Sequence, residues 1–234
     1  MEHNLLSVRE LTYSYDGITK VFDNFELDIF SSETIQLIGL NGVGKSTLLR
    51  ILTGLISDSK LRYKAYYKGI STSLAELRNK ISYVPDNPQL FNKLTCEENI
   101  HFFRLLWNND SDYEKRVRDM CDAFGITEML GRKVDECSLG TQHKLFLSLS
   151  LSRRADIYLM DEPFNTLDVS SRVVLTQWIQ STRDSSHLIV SHVQQEGLVF
   201  SRVIELRNPE ISHCITSFKS AEKRHVPFSR SAST

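Results

Sequence analysis

Eight residues, Gly39-Leu40-Asn41-Gly42-Val43-Gly44-Lys45-Ser46, constrain this 234-residue chain more than any other segment. They follow G-x-x-x-x-G-K-[ST]. Glycines there let successive backbone N–H groups point into one concavity, the lysine ammonium reaches the outer phosphates of a nucleoside triphosphate, and the serine ligates magnesium. Thr34 to Ile38 reads as a short strand ahead of the loop. Behind it, Leu48, Ile51, Leu52 and Leu55 fall at helical spacing between Lys45 and Leu55. Strand, glycine-rich loop and helix form the first half of a βαβ unit, and the helix start adds its positive end to the anion site.

Such a loop needs a carboxylate at the end of a second buried strand to hold the magnesium shell. Ile157-Tyr158-Leu159-Met160-Asp161-Glu162 supplies two in succession. Strand alternation sends neighbouring side chains in opposite directions, so one of the two is expected to serve the metal and the other an attacking water.

Strand signals also occur at Ser7 to Tyr15 and Val21 to Phe30, separated by Asp16-Gly17, with Leu61 to Tyr67 a third member of an early antiparallel sheet. From about 86 to 154 strand-like runs vanish. Helical segments at Glu97 to Leu106, Asp112 to Ala123 and Leu139 to Ser152 predict an inserted helical subdomain. Strands resume at 157–160, 188–190 and 203–206, alternating with helices predicted near Val169 to Ser181 and Val193 to Val199. Alternation of this kind predicts an α/β fold, a parallel sheet covered by helices on both faces. Residues 1–218 are expected to form one domain. The serine-rich stretch 219–234, basic through Lys219, Lys223, Arg224 and Arg230, is expected to be a solvated tail.

Charge and cysteine content remove other classes. Twenty-eight basic against twenty-nine acidic residues leave a net charge of -1, without the footprint of a dedicated nucleic-acid binder. The cysteines at 96, 121, 137 and 214 form no C-x-x-C pair or metal-ligand cluster and read as cytosolic thiols. No run of 18 apolar residues occurs, so any role at a membrane requires a partner.

Taken in order, these motifs resemble the nucleotide-binding subunits of ATP-binding cassette (ABC) transporters from about Leu5 to Leu206. Asp161-Glu162-Pro163-Phe164-Asn165-Thr166-Leu167-Asp168 is similar to the family's second acidic motif and the D-loop that follows it. Cys137-Ser138-Leu139-Gly140-Thr141-Gln142-His143-Lys144 stands where the family carries L-S-G-G-Q, with Ser138 and Gly140 matching and Cys137, Leu139 and Thr141 departing. Ser191-His192 resembles the switch-histidine segment, and Tyr15, favoured over nearby Tyr13, matches the residue that stacks on adenine. Tyr83 to Phe91 resembles the Q-loop segment, but Asp86 occupies the position of the glutamine. Aspartate is shorter and charged, so it either binds magnesium more firmly or fails to reach it.

The resemblance implies a P-loop NTPase (RecA-like) core with an N-terminal antiparallel β subdomain and the helical insertion. Its cofactors are ATP and Mg2+. The triphosphate is expected along Gly39, Asn41, Gly42, Val43, Gly44, Lys45, Ser46 and Thr47, with adenine on Tyr15, magnesium between Ser46 and Asp161, and Asp86 at the same site. Glu162 is expected to polarise water and His192 to meet the γ-phosphate. Asp168 is expected to organise a facing subunit whose Ser138 and Gly140 close the site. Hydrolysis then requires a head-to-tail dimer, a homodimer if the partner is identical. The resemblance further implies separate integral membrane subunits docked beside the Q-loop, a cytoplasmic peripheral location on the inner membrane face, and export, the last from the serine-leucine-glycine signature. A non-transport ABC-type ATPase is the alternative.

Overall fold

A computed structural model describes residues 3–191, 195–207 and, as backbone, 217–219. Strands β1 (Asn4–Ser14) and β2 (Lys20–Phe30) pair antiparallel, and β3 (Thr34–Gly39) leads into helix α1 (Lys45–Leu52). β4 (Arg62–Tyr67) and β5 (Ile70–Thr72) complete a four-stranded antiparallel sheet of order β2-β1-β4-β5. β6 (Ile81–Val84) then enters the second sheet, followed by α2 (Cys96–Leu106), α3 (Tyr113–Ala123) and α4 (Leu139–Leu151). β7 (Ile157–Asp161), α5 (Val169–Ser181), β8 (Ser186–Val190), β9 (Arg202–Leu206) and β10 (Ser217–Lys219) close the described chain. The second sheet has the order β10-β9-β3-β8-β7-β6. It is parallel throughout except for β10, which runs antiparallel on β9.

This parallel sheet divides two apolar cores, and strand alternation explains why its sequence reads as continuous hydrophobicity. Ile157 and Leu159 of β7 join α1 and the antiparallel sheet, whereas Tyr158 and Met160 join the helical layer. In β8, Leu188 and Val190 take the first side and Ile189 the second. Every residue of both strands is buried. At α4, Leu145, Leu147 and Leu149 are 0% exposed, and the Tyr113 hydroxyl donates to the Leu149 carbonyl at 2.9 Å, fastening α3 to α4.

Two sequence expectations change. Helix α1 ends at Leu52, a turn early: Thr53 N–H and Gly54 N–H donate back to Leu49 and Ile51 carbonyls at 3.1 and 2.9 Å, and Leu55 emerges 60% exposed. Residues 195–199, the described part of the helix expected at 193–199, make a turn and irregular chain. The short strands β5 and β6 carried too few alternating residues to register before the structure placed them. Of the expected tail 219–234, only the backbone of Lys219 is described, as the end of β10; the rest lies outside the described residues.

Candidate nucleotide site

The glycine loop is built by steric necessity as well as by hydrogen bonding. Gly44, the N-cap of α1, has φ 108°, and a Cβ there would lie 2.7 Å from Val21 Cγ1. Gly39 has φ 153°, and its Cβ would stand 2.5 Å from the Leu206 carbonyl oxygen on β9. Both positions combine a left-handed backbone with a neighbour that leaves no room for a side chain. Directly after Gly44, Lys45, 8% exposed, folds back on its own loop, donating through Nζ to the Gly39 and Leu40 carbonyls at 2.8 and 3.1 Å.

A cavity of about 470 Å³ opens above this loop, lined by Tyr15, Asn41, Gly42, Gly44, Lys45, Ser46, Thr47, Asp86, Asp161 and Glu162, together with Val21 and Val190. Most of the residues expected at the phosphates therefore converge. Gly39 and Val43 support the loop from beneath: Val43 packs against the first core and its N–H donates to the Leu40 carbonyl at 3.3 Å. His192 lies outside the described residues. Sequence reasoning missed Val21, whose contribution depends on the closeness of β2 to Gly44.

Asp161 and Glu162, which strand alternation would send in opposite directions, both line the cavity. The reason is local: Glu162 has φ 49°, which breaks the strand pattern at the first residue beyond β7, and its N–H donates to the Val190 carbonyl at 3.0 Å. Asp161 is 4% exposed. Burial holds its carboxyl above the usual range, opposed by a hydrogen bond from Ser46 and aided by the negative charge of Asp86. Ser46 and Asp161 offer a hydroxyl and a carboxylate beside the phosphate loop, the hard-oxygen donors that magnesium takes alongside phosphate oxygens. The residues fit the ion.

The structure separates the two tyrosines. A kink at Glu10, φ 53°, accompanies a register shift between Val8 and Leu11, so the inward set becomes Leu11 and Tyr13. Tyr13 is 2% exposed and donates its hydroxyl to Asp58 at 3.2 Å. Tyr15 lies just past the strand, 54% exposed, with its hydroxyl 2.9 Å from Thr47 Oγ1. Its ring is the one that borders the cavity.

Ser138 and Gly140 lie elsewhere, at the start of α4. Ser138 is the N-cap, its Oγ accepting from Thr141 N–H at 3.2 Å, and it is exposed. A cap of this type stabilises a helix by about 1 kcal/mol. Within this chain neither residue reaches the cavity. Asp168 has a local task too: it caps α5, accepting from Ser171 N–H at 2.8 Å, and pairs with Lys144 Nζ at 2.6 Å, which holds its carboxyl well below the usual range. His143 is 3% exposed and hydrogen-bonds Thr166 through Nδ1, a second tie between α4 and the 163–168 loop that sequence reasoning missed.

A larger cavity, about 1030 Å³, adjoins the first through Ser46, Asp86 and Asp161. Its walls include Leu55, Phe103, Leu106 and Trp107 as well as Arg50, Arg78 and Arg153. Of the apolar residues of α2, Ile100 is core at 0% exposure, while Leu106 stands 57% exposed in this groove. Asp86, itself exposed, is the side chain both cavities share beyond the loop and the acidic strand.

A parallel sheet, a phosphate loop between β3 and a helix, and a buried carboxylate at the end of β7, with β8 between the two strands, define a P-loop ATPase. Residues 22–165, more than half of the chain, match the model of the ABC transporter family, and the chain belongs to that family. It is similar to an uncharacterised ABC transporter ATP-binding protein of Haemophilus influenzae, 28% identical over 88% of this chain and 83% of the relative. A sulfate/thiosulfate import ATP-binding protein of Vibrio cholerae is 30% identical over 84% of this chain, which spans 56% of that relative's length. Among solved structures, an ATP-binding subunit of an ABC transporter superposes with a TM-score of 0.77 at 24% identity, covering 87% of this chain and 86% of the other. An ABC transporter ATP-binding cassette in its ADP conformation gives 0.72 at 16% identity, over 93% and 91%. The chain is thus an ATP-binding protein and ATPase of the ABC class.

Proposed function

We propose that this ATPase powers transport of a substrate through separate membrane-spanning subunits seated in the groove beside Asp86. The observation that carries the reading is the continuity of the two cavities: one lies over the phosphate loop, the other offers an exposed apolar wall, and Ser46, Asp86 and Asp161 border both. A helix held in the groove would feel any movement of the nucleotide site. Among the described residues no helix is long and apolar enough to cross a membrane. A peripheral position on the inner face of the membrane follows from that docking.

In this reading ATP lies along residues 39–47 with adenine on Tyr15, and Ser46 and Asp161 hold magnesium, which when bound neutralises phosphate charge. Glu162 orients and deprotonates the attacking water, with His192 toward the γ-phosphate. Ser138, exposed at a helix N-terminus, and the half-buried Gly140, neither of them lining their own chain's cavity, serve the nucleotide of a second copy of this chain, a head-to-tail homodimer. Asp168, tied to Lys144 on α4, carries the position of that helix toward its own Glu162 loop. Residues 1–218 form the working domain. Direction has its support in the relatives: those named for sulfate/thiosulfate, xylose/arabinose and spermidine/putrescine are import proteins, which favours uptake over the export expected from Leu139.

Two substitutions test the reading. Leu106→Asp should abolish copurification with integral membrane proteins while ATP binding persists; capture of no membrane protein by the unaltered chain would favour the non-transport alternative. Ser138→Arg should leave ATP binding to the single subunit intact and remove hydrolysis, and normal turnover in that variant would sink the composite site.

A further inference from the structure

Two thiols meet on the helical side of the molecule. Cys96 Sγ and Cys137 Sγ stand 3.8 Å apart although 41 residues separate them in the chain. Cys96 opens α2 and is 2% exposed; Cys137 is partly exposed, in the loop immediately before Ser138. Their neighbourhoods are fastened by backbone bonds, from Cys96 N–H to the Arg132 carbonyl and from Glu97 N–H to the Leu130 carbonyl, both at 2.9 Å. A bridge between Thr95 and Lys133 adds to these. The proximity is therefore a property of the fold.

We propose that Cys96 and Cys137 are an oxidisable pair, converted by a low-molecular-weight disulfide such as oxidised glutathione into an intrachain disulfide that displaces Ser138 and stops ATP hydrolysis. The pairing stands on the geometry alone; its effect on hydrolysis rests on the composite-site reading of Ser138 given above.

Exchange proceeds in two steps. The Cys137 thiolate attacks one sulfur of glutathione disulfide, forming a mixed disulfide and releasing one glutathione, which takes up the proton that Cys137 lost. Cys96 then gives up its proton and attacks the Cys137 sulfur, expelling the second glutathione, which accepts that proton. One S–S bond breaks and one forms. Two electrons pass from the protein to the reagent, and both thiol protons end on glutathione.

The order follows from access. The reagent reaches Cys137, whereas Cys96 is closed off, and burial together with the neighbouring Cys137 thiol pushes the Cys96 thiol up to about 12. The second of those causes disappears once Cys137 is capped, so Cys96 suits the resolving step better than the first attack.

A disulfide needs an S–S distance of about 2.05 Å, so the sulfurs must close by about 1.8 Å from their present separation. Cys96 is held in the first turn of α2 by a reciprocal cap: Thr95 Oγ1 accepts from Glu98 N–H at 3.1 Å, and Glu98 Oε2 accepts from Thr95 N–H at 2.7 Å. Cys137 is in extended backbone, φ −93° and ψ 149°, between a short 3-10 turn and α4. The movement falls on Cys137, and its neighbour Ser138 moves with it. A misplacement of about 1 Å at a reacting constellation costs about a hundredfold in rate, so a shift of this size is enough.

The test uses the full chain with Cys214→Ser, which removes the one cysteine outside the described residues. After incubation with oxidised glutathione, proteolysis and mass spectrometry should find a peptide joining Cys96 to Cys137, absent after dithiothreitol. ATP turnover should fall about a hundredfold and recover on reduction, while ATP affinity measured by calorimetry stays within about twofold. Cys96→Ala, or Cys96→Ser if the alanine variant does not fold, should yield only a glutathione adduct on Cys137. A glutathione adduct on Cys137 in the parent chain with no joined peptide would overturn the pair. Formation of the joined peptide with unchanged turnover would overturn the effect on hydrolysis. Because the joined peptide is scored without reference to turnover, failure of the composite-site reading is distinguishable from failure of the pair.

Discussion

Gly42 and Gly44 stand two residues apart in one loop, yet the structure predicts different consequences for the same substitution. At Gly44 the backbone φ is 108°, and an added Cβ would meet Val21 Cγ1 at 2.7 Å and Phe22 Cζ at 3.2 Å. At Gly42 φ is 79°, and an added Cβ would find nothing within 4 Å. Left-handed backbone costs a non-glycine residue about 1–2 kcal/mol, which both alanines incur. Overpacking adds about 1–3 kcal/mol, which applies at Gly44 alone because Phe22 is 2% exposed and has little room to retreat. Gly44→Ala should therefore destabilise by about 2–5 kcal/mol and Gly42→Ala by about 1–2 kcal/mol. For a chain of this length about 1 kcal/mol moves Tm by about 2–4 °C. Without nucleotide, Gly44→Ala should then melt about 4–20 °C lower and Gly42→Ala only about 2–8 °C lower. Binding should reverse the ranking per unit of stability lost. The Gly42 methyl enters the cavity that takes the phosphates, and ATP affinity should fall at least about tenfold with little unfolding to account for it. Thermal unfolding followed by circular dichroism and titration calorimetry at a temperature where both variants are folded would measure the two effects. Equal melting temperatures for the two alanine variants would refute the steric argument.

Lys45→Ala should leave the loop backbone folded but remove its point charge, and calorimetry with ATP and magnesium should find binding largely lost; unchanged affinity and turnover would contradict the assignment. Glu162→Gln should lower kcat by about 10²–10⁴ with ATP affinity retained and a closed ATP-bound dimer accumulating in size-exclusion chromatography. Normal turnover in that variant within the membrane complex would make Asp86 the next carboxylate to test, and Asp86→Asn alone and combined with Glu162→Gln separates the two. His187, 1% exposed and stacked on Tyr158 at 5.7 Å, is pushed by burial from 6.5 down to about 4. Between those values the unfolded chain binds a proton that the folded chain refuses, so stability is full above about pH 6.5 and falls as pH drops toward about 4. Urea unfolding across that range should show the loss, by a few kcal/mol, and His187→Gln should flatten it; an unchanged slope in the variant would assign the acid sensitivity elsewhere.

Short-range physics fixed what a linear reading of this chain delivers. The glycine loop, the strand before it and the acidic strand end are set by backbone sterics and by alternation within a few residues, so Gly39 to Ser46 and Ile157 to Asp161 read correctly without a neighbour in view. The same holds for the helical segments of the insertion, whose periodicity spans several turns. Tertiary structure decided the rest. A kink at Glu10 chose Tyr15 over Tyr13 for the cavity, and Glu162, at φ 49° just beyond β7, lines the same cavity as Asp161. Whether Asp86 reached the site depended on how the helical layer sits on the parallel sheet, and it lines both cavities at their junction. The contact of Cys96 with Cys137 arises from bonds between the start of α2 and residues 130–132, more than thirty positions from Cys96 and a few from Cys137. Periodicity records which face of an element is apolar; it carries no record of which other element that face meets, because long-range packing and isolated backbone kinks leave no repeating trace in the sequence.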